Sequence, residues 1–203
     1  NGEKLGKNTV RIFNRGKIEN LKGYTKGLWW VQDIASQIPV NLMGNIKNKT
    51  ILDLCASPGG KTAQMLNEGA IVKAIDISIQ RVEKLKNNIN RVGLCKNFQA
   101  EVLDFMSINL KAKFDVVLLD APCTGTGTFR KNPDVLWIKS KKDVIKNSIK
   151  QKKMLIKALK FVKENGILIY SNCSLQFEEG ERIINNLINL LRARKLLGSR
   201  SRI

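Results

Sequence analysis

Histidine is absent from this chain of 203 residues, and motifs that would indicate a metal or a disulfide framework are missing as well. Without an imidazole, catalytic pairs of the serine–histidine and cysteine–histidine types are excluded. The cysteines Cys55, Cys95, Cys123 and Cys173 are widely spread and form no Cys-x-x-Cys pair. The sequence therefore favours neither a zinc site nor structural disulfides, and we expect no bound metal.

Long apolar runs are also missing. No stretch approaches the length that spans a membrane, and the opening segment NGEKLGKNTVRIF lacks the apolar core of a secretory signal. We therefore expect no membrane association and a cytoplasmic location. Hydrophobic residues make up 43% of the chain, which is ordinary for a globular protein, and the length suits a single domain.

Acidic residues are scarce relative to basic ones. Lys and Arg number 36 against 17 Asp and Glu, which gives a formal net charge of +19. A field of this sign attracts polyanions, with nucleic acid as the leading candidate, although a coding bias toward Lys, Asn and Ile would also raise the charge. Clustering favours a binding surface, because residues 130–163 hold twelve basic residues and only two acidic ones, Asp134 and Asp143.

Strand-like and helix-like segments alternate from Thr50 onward. The predicted strands are residues 50–55, 71–76, 97–102, 114–120 and 167–172. Between and after them, helical spacing predicts helices that reach Leu66, span residues 78–93, end at Gly166 and span residues 178–191. This alternation predicts an α/β fold with a doubly wound, mostly parallel sheet, whose ligand site lies at the carboxyl ends of the strands.

The chain is predicted to have three parts. Residues 1–49 form an extension that packs on the core, residues 50–191 form the core, and residues 192–203 form a basic, disordered tail. Within the extension, NTVRIF and KGLWWVQD are candidate short strands, and DIASQIPVNLMG is a candidate helix capped by Asp33.

The segment CASPGGKT, Cys55 to Thr62, follows the first predicted core strand. It ends in Gly-Lys-Thr, as a phosphate-binding loop does, but that motif requires glycine at the position of Cys55. The dinucleotide fingerprint GxGxxG is also absent. What remains is a glycine turn that enters a helix, where the backbone can approach a ligand closely. A plain tight turn is the alternative.

Acidic residues stand at the ends of three successive predicted strands. Asp76 ends the second core strand, Asp104 lies just beyond the third, and Asp120 ends the fourth. Each alone fits a helix cap or a solvated loop residue. Together with the glycine turn they indicate a cofactor that carries a nucleoside, because a carboxylate at a strand end can accept hydrogen bonds from ribose hydroxyls.

Two cysteines occupy similar positions after predicted strands, Cys123 in DAPCTGTG and Cys173 in YSNCSLQ. A thiol at a strand end is either a small buried apolar side chain or a nucleophile presented to a pocket.

Five segments occur in a recognisable order: VQDIASQ, LDLCASPGGKT, AIDIS..R, LLDAPCTGTGTFRKNPD.LW and YSNCS...EE. Together they resemble the Sun family of S-adenosylmethionine-dependent RNA cytosine-C5 methyltransferases, which includes a bacterial ribosomal-RNA enzyme. The resemblance extends from Trp30 to about Asn186. It implies a Rossmann-like class I methyltransferase core that lacks the last strands of the family's sheet, S-adenosylmethionine as cofactor, RNA of the ribosomal kind as partner, and a monomer.

The resemblance also implies roles for individual residues. Cys173 matches the family's nucleophile, Cys123 matches the second cysteine linked to product release, and Asp120 would lie between the methyl donor and the base. The chemistry of addition to cytosine further suggests that Asp120 near N3 and Lys61 near O2 stabilise charge entering the ring. Asp76 would bind the ribose, Asp104 would lie by the adenine, and Arg81 would lie near the cofactor carboxylate. The expected cofactor-binding residues are Cys55, Ala56, Ser57, Pro58, Gly59, Gly60, Lys61, Asp76, Arg81, Asp104 and Asp120.

Three other interpretations remain open. A DNA cytosine methyltransferase would use Cys123, the cysteine after proline, as its nucleophile. A truncated, inactive, basic RNA-binding module would share the charge and the ancestry without the chemistry, and the ending RARKLLGSRSRI departs from the family's pattern. A dehydrogenase is disfavoured because the dinucleotide fingerprint is missing.

Overall fold

The computed structural model describes residues 2–6, 8–13, 16–108 and 110–193. The chain divides into two compact units, residues 1–105 and residues 106–203, which are described in turn. Of the predicted basic tail, Arg192 and Ala193 end the last helix, and residues 194–203 lie outside the described residues.

Unit 1 contains a hairpin and three parallel strands that alternate with helices. The hairpin pairs β1 (Gly2–Gly6) with β2 (Thr9–Ile12) in antiparallel fashion. The elements that follow are α1 (Ile34–Asn41), β3 (Thr50–Leu54), α2 (Gly60–Asn67), β4 (Ile71–Asp76), α3 (Ile79–Arg91) and β5 (Phe98–Val102). Strand β4 lies between β3 and β5 and is parallel to both, with Ile51 opposite Val72 and Ala74 opposite Ala100.

The apolar pattern of unit 1 explains its layering. Strand β3 is almost wholly buried, as a strand covered on both faces should be. Helix α3 begins after Ser78, whose hydroxyl accepts a hydrogen bond from the N–H of Arg81. It buries Val82, Leu85 and Ile89, which lie on one helical face. These elements match the predicted ones closely.

The residues before β3 match the prediction only in part. Helix α1 is present, and the Asp33 carboxylate accepts from the N–H of Ala35 at 2.9 Å as the predicted cap. Strand β2 lies within NTVRIF, but KGLWWVQD forms no strand. Its Trp29 carbonyl instead accepts from the Arg91 guanidinium, which also bonds the Tyr24 carbonyl and lies 3.9 Å from the centre of the Tyr24 ring. The backbone is therefore held by a side chain rather than by a strand partner.

The described residues of unit 2, 106–108 and 110–193, form two parallel strands and three α-helices. These elements are β6 (Phe114–Asp120), α4 (Val135–Ile138), α5 (Lys141–Leu159), β7 (Val162–Ser171) and α6 (Glu181–Ala193). Strands β6 and β7 pair in parallel, with Leu119 opposite Tyr170 and Asp120 opposite Ser171. Helix α5 starts with a capping box, in which Ser140 and Asp143 bond each other's backbone N–H groups.

The prediction that Gly166 ends the long helix is wrong, because α5 stops at Leu159 and Gly166 lies inside β7. Phe161 is buried, and its carbonyl accepts a hydrogen bond from the N–H of Phe114. Because of this bond the strand begins at Val162, earlier than predicted. The pairing then shifts register before Ile167, and a Cβ on Gly166 would lie 2.8 Å from a Val162 methyl group. Gly166 thus allows a bulge in a strand.

The five parallel strands and the helices between them confirm the predicted α/β class. Among the described residues, no helix combines the length and the apolar character that crossing a membrane requires.

Candidate functional site

The glycine turn of unit 1 connects β3 to α2 and is fastened to the end of β4. The N–H groups of Cys55 and Ala56 both donate to the Ile75 carbonyl, at 2.9 and 3.2 Å. Cys55 has a φ of 62° and Gly59 a φ of 101°, so the turn contains two left-handed residues, of which one is not glycine. A left-handed cysteine is uncommon and marks a backbone shape that the surroundings impose.

Asp76 ends β4 and is 3% exposed, and it organises the same turn. One carboxylate oxygen accepts from the N–H of Ser57 and the other from the N–H of Ser78, each at 3.3 Å. The Arg81 guanidinium lies 3.3 Å from the first oxygen and also donates to the Ser57 carbonyl. A carboxylate has about four acceptor positions, so Asp76 retains capacity for a further donor such as a ribose hydroxyl.

The other predicted cofactor residues of unit 1 lie on the same turn or beyond β5. Ala56 and Gly59 are buried, Pro58 is exposed, and Ser57 donates from its hydroxyl to the Arg81 carbonyl at 2.7 Å. Gly60 and Lys61 form the first turn of α2, with Lys61 half-buried. Asp104 is exposed, two residues after the end of β5. The structure thus gathers residues 55–61, Asp76 and Arg81 at the carboxyl ends of β3 and β4.

The two cysteines of unit 2 are in contact. The sulfurs of Cys123 and Cys173 lie 3.4 Å apart, which is hydrogen-bond distance for thiols and well beyond a disulfide bond length. Cys173 is exposed and Cys123 is half-buried. All four cysteines lie in the described part of the chain, and none forms a disulfide.

Strand register and a glycine bring the two sulfurs together. Because Asp120 pairs with Ser171, the loops that follow β6 and β7 begin side by side. The N–H of Gly127 donates to the Cys173 carbonyl at 2.9 Å, and a Cβ at position 127 would lie only 2.8 Å from that oxygen. The close approach of the two loops therefore requires glycine there.

The contact between the cysteines sets the protonation of one of them. The pKa of Cys123 is raised far above its ordinary value, first by its hydrogen bond with Cys173 and then by burial. Cys123 consequently keeps its proton at neutral pH and can donate it to the sulfur of Cys173. Of the two cysteines, Cys173 is the more exposed to solvent.

A buried carboxylate joins the two cysteine loops. Glu179 is 0% exposed, and it accepts hydrogen bonds from the Thr124 N–H and hydroxyl and from the Ser174 hydroxyl, the last at 2.6 Å. The Gln151 amide donates to the same carboxylate at 3.0 Å and to the Pro122 carbonyl at 2.8 Å. Thr124 and Ser174 each follow one of the cysteines directly in the sequence.

Further bonds position the segment before Cys173. The Tyr170 hydroxyl and the Asn172 amide both donate to the Glu179 carbonyl, at 2.6 and 2.8 Å. Burial raises the pKa of Tyr170 to about 12, so its phenol remains a donor at neutral pH. Asp120, predicted to be catalytic, is half-buried and accepts from the Ser171 hydroxyl at 2.8 Å.

Sequence reasoning assigned no role to Glu179, although the segment YSNCS...EE contains it. A hydroxyl residue follows each of the two cysteines, Thr124 after Cys123 and Ser174 after Cys173. This repetition could have indicated a shared acceptor, because two hydroxyls beside neighbouring thiols can donate to one carboxylate. Gln151 carried no comparable signal, since a glutamine within a lysine-rich helix looks like an ordinary surface residue.

The sequence model of a family described as 16S rRNA methyltransferase RsmB/F matches residues 40–200. The ribosomal RNA small subunit methyltransferase B of Proteus mirabilis is 36% identical over 182 residues, which cover 87% of this chain and 43% of that protein. The enzyme of the same name from Photorhabdus laumondii is 33% identical over 196 residues, with coverages of 94% and 45%. The chain thus spans less than half the length of these relatives.

Solved structures from Pyrococcus horikoshii have the same fold. NSun6 with the S-adenosylmethionine analogue SFG superposes with a TM-score of 0.79 at 31% identity, over 87% of this chain and 46% of that chain. A methyltransferase homolog protein superposes with a TM-score of 0.74 at 30% identity, over 89% and 57%. These neighbours confirm the Rossmann-like methyltransferase fold, and the family match confirms the resemblance to the Sun family. The chain belongs to the 16S rRNA methyltransferase RsmB/F family.

Proposed function

We propose that this chain is the methyltransferase core of a ribosomal-RNA cytosine-C5 methyltransferase that uses Cys173 as its nucleophile and S-adenosylmethionine as its methyl donor. The observation that carries the proposal is the contact of 3.4 Å between an exposed and a half-buried thiol at the ends of adjacent parallel strands. Family membership supports the substrate class, and the analogue bound to the NSun6 neighbour supports the cofactor.

The residues of unit 1 fit this cofactor. Asp76 is buried and retains acceptor capacity for a ribose hydroxyl, and the turn of residues 55–60 leaves backbone close to the end of β4. When bound, S-adenosylmethionine would supply an electrophilic methyl group on its sulfonium. Arg81, Lys61, Asp104 and Asp120 remain proposed contacts, and Arg81 already pairs with Asp76 in the structure.

The chemistry of cytosine explains why two thiols are useful. Carbon C5 is too electron-poor to accept a methyl group unaided, and addition of the Cys173 thiolate to C6 gives C5 the character of an enamine. After methylation the C5 proton passes to a water molecule, the electron pair of the C5–H bond restores the C5–C6 double bond, and the C6–sulfur bond breaks with its electron pair on the Cys173 sulfur. Cys123, which keeps its proton, can stabilise the departing sulfur by donating a hydrogen bond to it, and Cys173 is returned as the thiolate. Asp120 and Lys61 are proposed to stabilise charge on the ring during addition.

Trapping of the covalent intermediate tests the assignment. A 16S rRNA transcript containing 5-fluorocytidine traps the adduct, because elimination requires removal of a proton from C5 and fluorine cannot be removed in its place. With cofactor, the parent protein should form an adduct that survives denaturation and maps to Cys173. Cys173→Ser should form none, because a hydroxyl is a far weaker nucleophile at neutral pH. Cys123→Ser should accumulate an adduct even on unsubstituted RNA.

The exposed Cys95 provides a matched control, and Cys95→Ser should behave like the parent. An adduct on Cys123 that persists in Cys173→Ser would overturn the assignment and favour the DNA-type mechanism. Absence of any adduct in the parent, together with retained RNA binding, would favour the inactive RNA-binding module. The proposal includes a cytoplasmic location, a monomeric state and no bound metal.

A further inference from the structure

Glu179 has a position that the proposed reaction does not explain. It is fully buried and lies at the end of a 3₁₀ turn, Phe177–Glu179. A buried carboxylate is unfavourable unless hydrogen bonds compensate for its lost hydration. Here the donors come from Thr124, Ser174 and Gln151, and each of these three side chains is neutral. Neutral donors therefore compensate the buried carboxylate.

The donors are distributed between the two cysteine loops. Thr124 uses both its N–H and its hydroxyl, and it follows Cys123. Ser174 uses its hydroxyl, and it follows Cys173. The two hydroxyls also lie 3.1 Å from each other, so the carboxylate closes a small ring of polar groups next to the sulfurs. Only an acceptor with two oxygens can serve all of these donors at once.

The backbone carbonyl of Glu179 also forms hydrogen bonds with the segment that leads to Cys173. It accepts from Tyr170 and Asn172, the latter being the residue before Cys173. Cys173 is therefore flanked in sequence by two residues that bond to Glu179, Asn172 through the carbonyl and Ser174 through the carboxylate. Gln151 fixes the other cysteine loop by bonding both Glu179 and the carbonyl of Pro122.

From this arrangement we infer that Glu179 is a positioning residue that holds the Cys123 thiol against the sulfur of Cys173. The inference rests on the proposed function, in which the Cys123 thiol donates a hydrogen bond to the departing sulfur. Loss of the carboxylate should let the two loops separate and lengthen the contact of 3.4 Å between the sulfurs. Release of the product should suffer more than binding of RNA, because the contact between the sulfurs is proposed to act when the C6–sulfur bond breaks.

The test measures how readily the two thiols meet, and it requires neither RNA nor cofactor. In glutathione buffers, Cys123 and Cys173 lose two protons and two electrons to form a disulfide, while one glutathione disulfide becomes two glutathione thiols. Alkylation, peptide mapping and mass spectrometry of the full chain give the equilibrium constant. A negative result in this disulfide measurement can therefore be distinguished from a failure of the proposed methyl transfer.

Glu179→Gln keeps the shape but presents an amide to groups that are all donors. We expect the equilibrium constant of the disulfide to fall by about tenfold or more in this variant. Ser174→Ala, which removes one bond to the Cys173 loop and keeps the buried carboxylate, should lower it by a smaller factor. Glu178→Gln is the matched control, since Glu178 pairs at the surface with Arg182 at 4.0 Å, and its constant should equal that of the parent.

Circular dichroism must show that each variant is folded at the temperature of the measurement. An unchanged constant in folded Glu179→Gln would overturn the inference, and so would an equal fall in Glu178→Gln. If Glu179→Gln does not fold, an unchanged constant in Ser174→Ala would overturn it. In protein that transfers methyl groups, the positioning role further requires that Ser174→Ala lower kcat while the KM for RNA stays the same.

Discussion

At the scale of single residues, Asp76 links the shape of the glycine turn to the binding of the cofactor. Its carboxylate already accepts the N–H groups of Ser57 and Ser78 and pairs with Arg81. The turn and the proposed ribose contact therefore depend on the same two oxygens. A substitution here should change both the stability of unit 1 and the affinity for the cofactor.

We predict that Asp76→Ala weakens binding of S-adenosylmethionine by about 1–3 kcal/mol, because the ribose hydroxyls lose their charged acceptor. Isothermal titration calorimetry measures the affinity, and urea unfolding measures the accompanying loss of stability. Glu83→Ala removes an exposed acid on α3 and should leave the affinity unchanged. If Asp76→Ala is folded and binds as tightly as the parent, the ribose does not lie at Asp76.

Candidate residues for both sites could be proposed from the sequence, with the exception of Glu179 and Gln151, but the hydrogen-bond partners of these residues could not. Cys123 and Cys173 were identified by their positions after predicted strands, and their contact depends on the register between β6 and β7, which no local pattern encodes. The ion pair between Arg81 and Asp76 spans the short connection from β4 to α3, whereas the role of Glu179 arises from packing between distant segments. Hydrogen bonds of that kind become visible only when the chain is folded.

At the scale of elements, helix α5 depends on its first residues. Ser140 and Asp143 form a capping box, and the Ser140 hydroxyl and N–H hold the pKa of Asp143 below its ordinary value of 3.8. A carboxyl group whose pKa is lowered on folding stabilises the native state above its ordinary pKa. That contribution disappears as the pH falls through the lower pKa of the folded state.

We predict that Ser140→Ala costs about 1 kcal/mol of unfolding free energy at neutral pH, as loss of a serine cap usually does. Part of this cost should fade as the pH drops below 3.8, because protonation of Asp143 removes the acceptor in the parent too. Urea unfolding at stepped pH values measures both quantities. Ser148→Ala, in the middle of α5, should show no such pH dependence, and a constant cost for Ser140→Ala would contradict the role given to Asp143.

The existence of the elements followed well from the sequence, and their ends followed less well. Helix α3 and strand β6 have strong apolar patterns and lie where they were predicted. The error at Gly166 has a physical cause, because glycine suits both a helix end and a bulge in a strand. Only the pairing of Phe161 with Phe114 decides between these outcomes, and that pairing joins residues far apart in the sequence.

At the scale of the whole molecule, the excess of positive charge should govern binding to RNA. Helix α5 alone exposes six lysines: Lys141, Lys142, Lys146, Lys150, Lys152 and Lys153. Each lysine that meets a phosphate releases bound counterions, so affinity should fall linearly with salt on logarithmic axes. The proposed substrate class and the net charge of +19 thus point the same way.

We predict that replacing Lys142, Lys146 and Lys150 by glutamine reduces the slope of that salt dependence by about one for each lysine that had neutralised a phosphate. Filter binding of a 16S rRNA transcript at several salt concentrations gives the slope. The control replaces Lys84, Lys86 and Lys96, which are also exposed, so that the net charge falls equally. Equal slopes in the two variants would show that total charge, rather than helix α5, governs the binding.

The glycine at position 127 has a consequence for how this sequence can evolve. A Cβ at position 127 would lie 2.8 Å from the carbonyl oxygen of Cys173, which is why this position requires glycine. That carbonyl is present whatever side chain residue 173 carries. A lineage that lost the reaction would be released from the need for sulfur at 173 but would still need glycine at 127 in order to fold. Substitution at 173 with glycine retained at 127 would therefore mark descendants in which the fold outlived its chemistry.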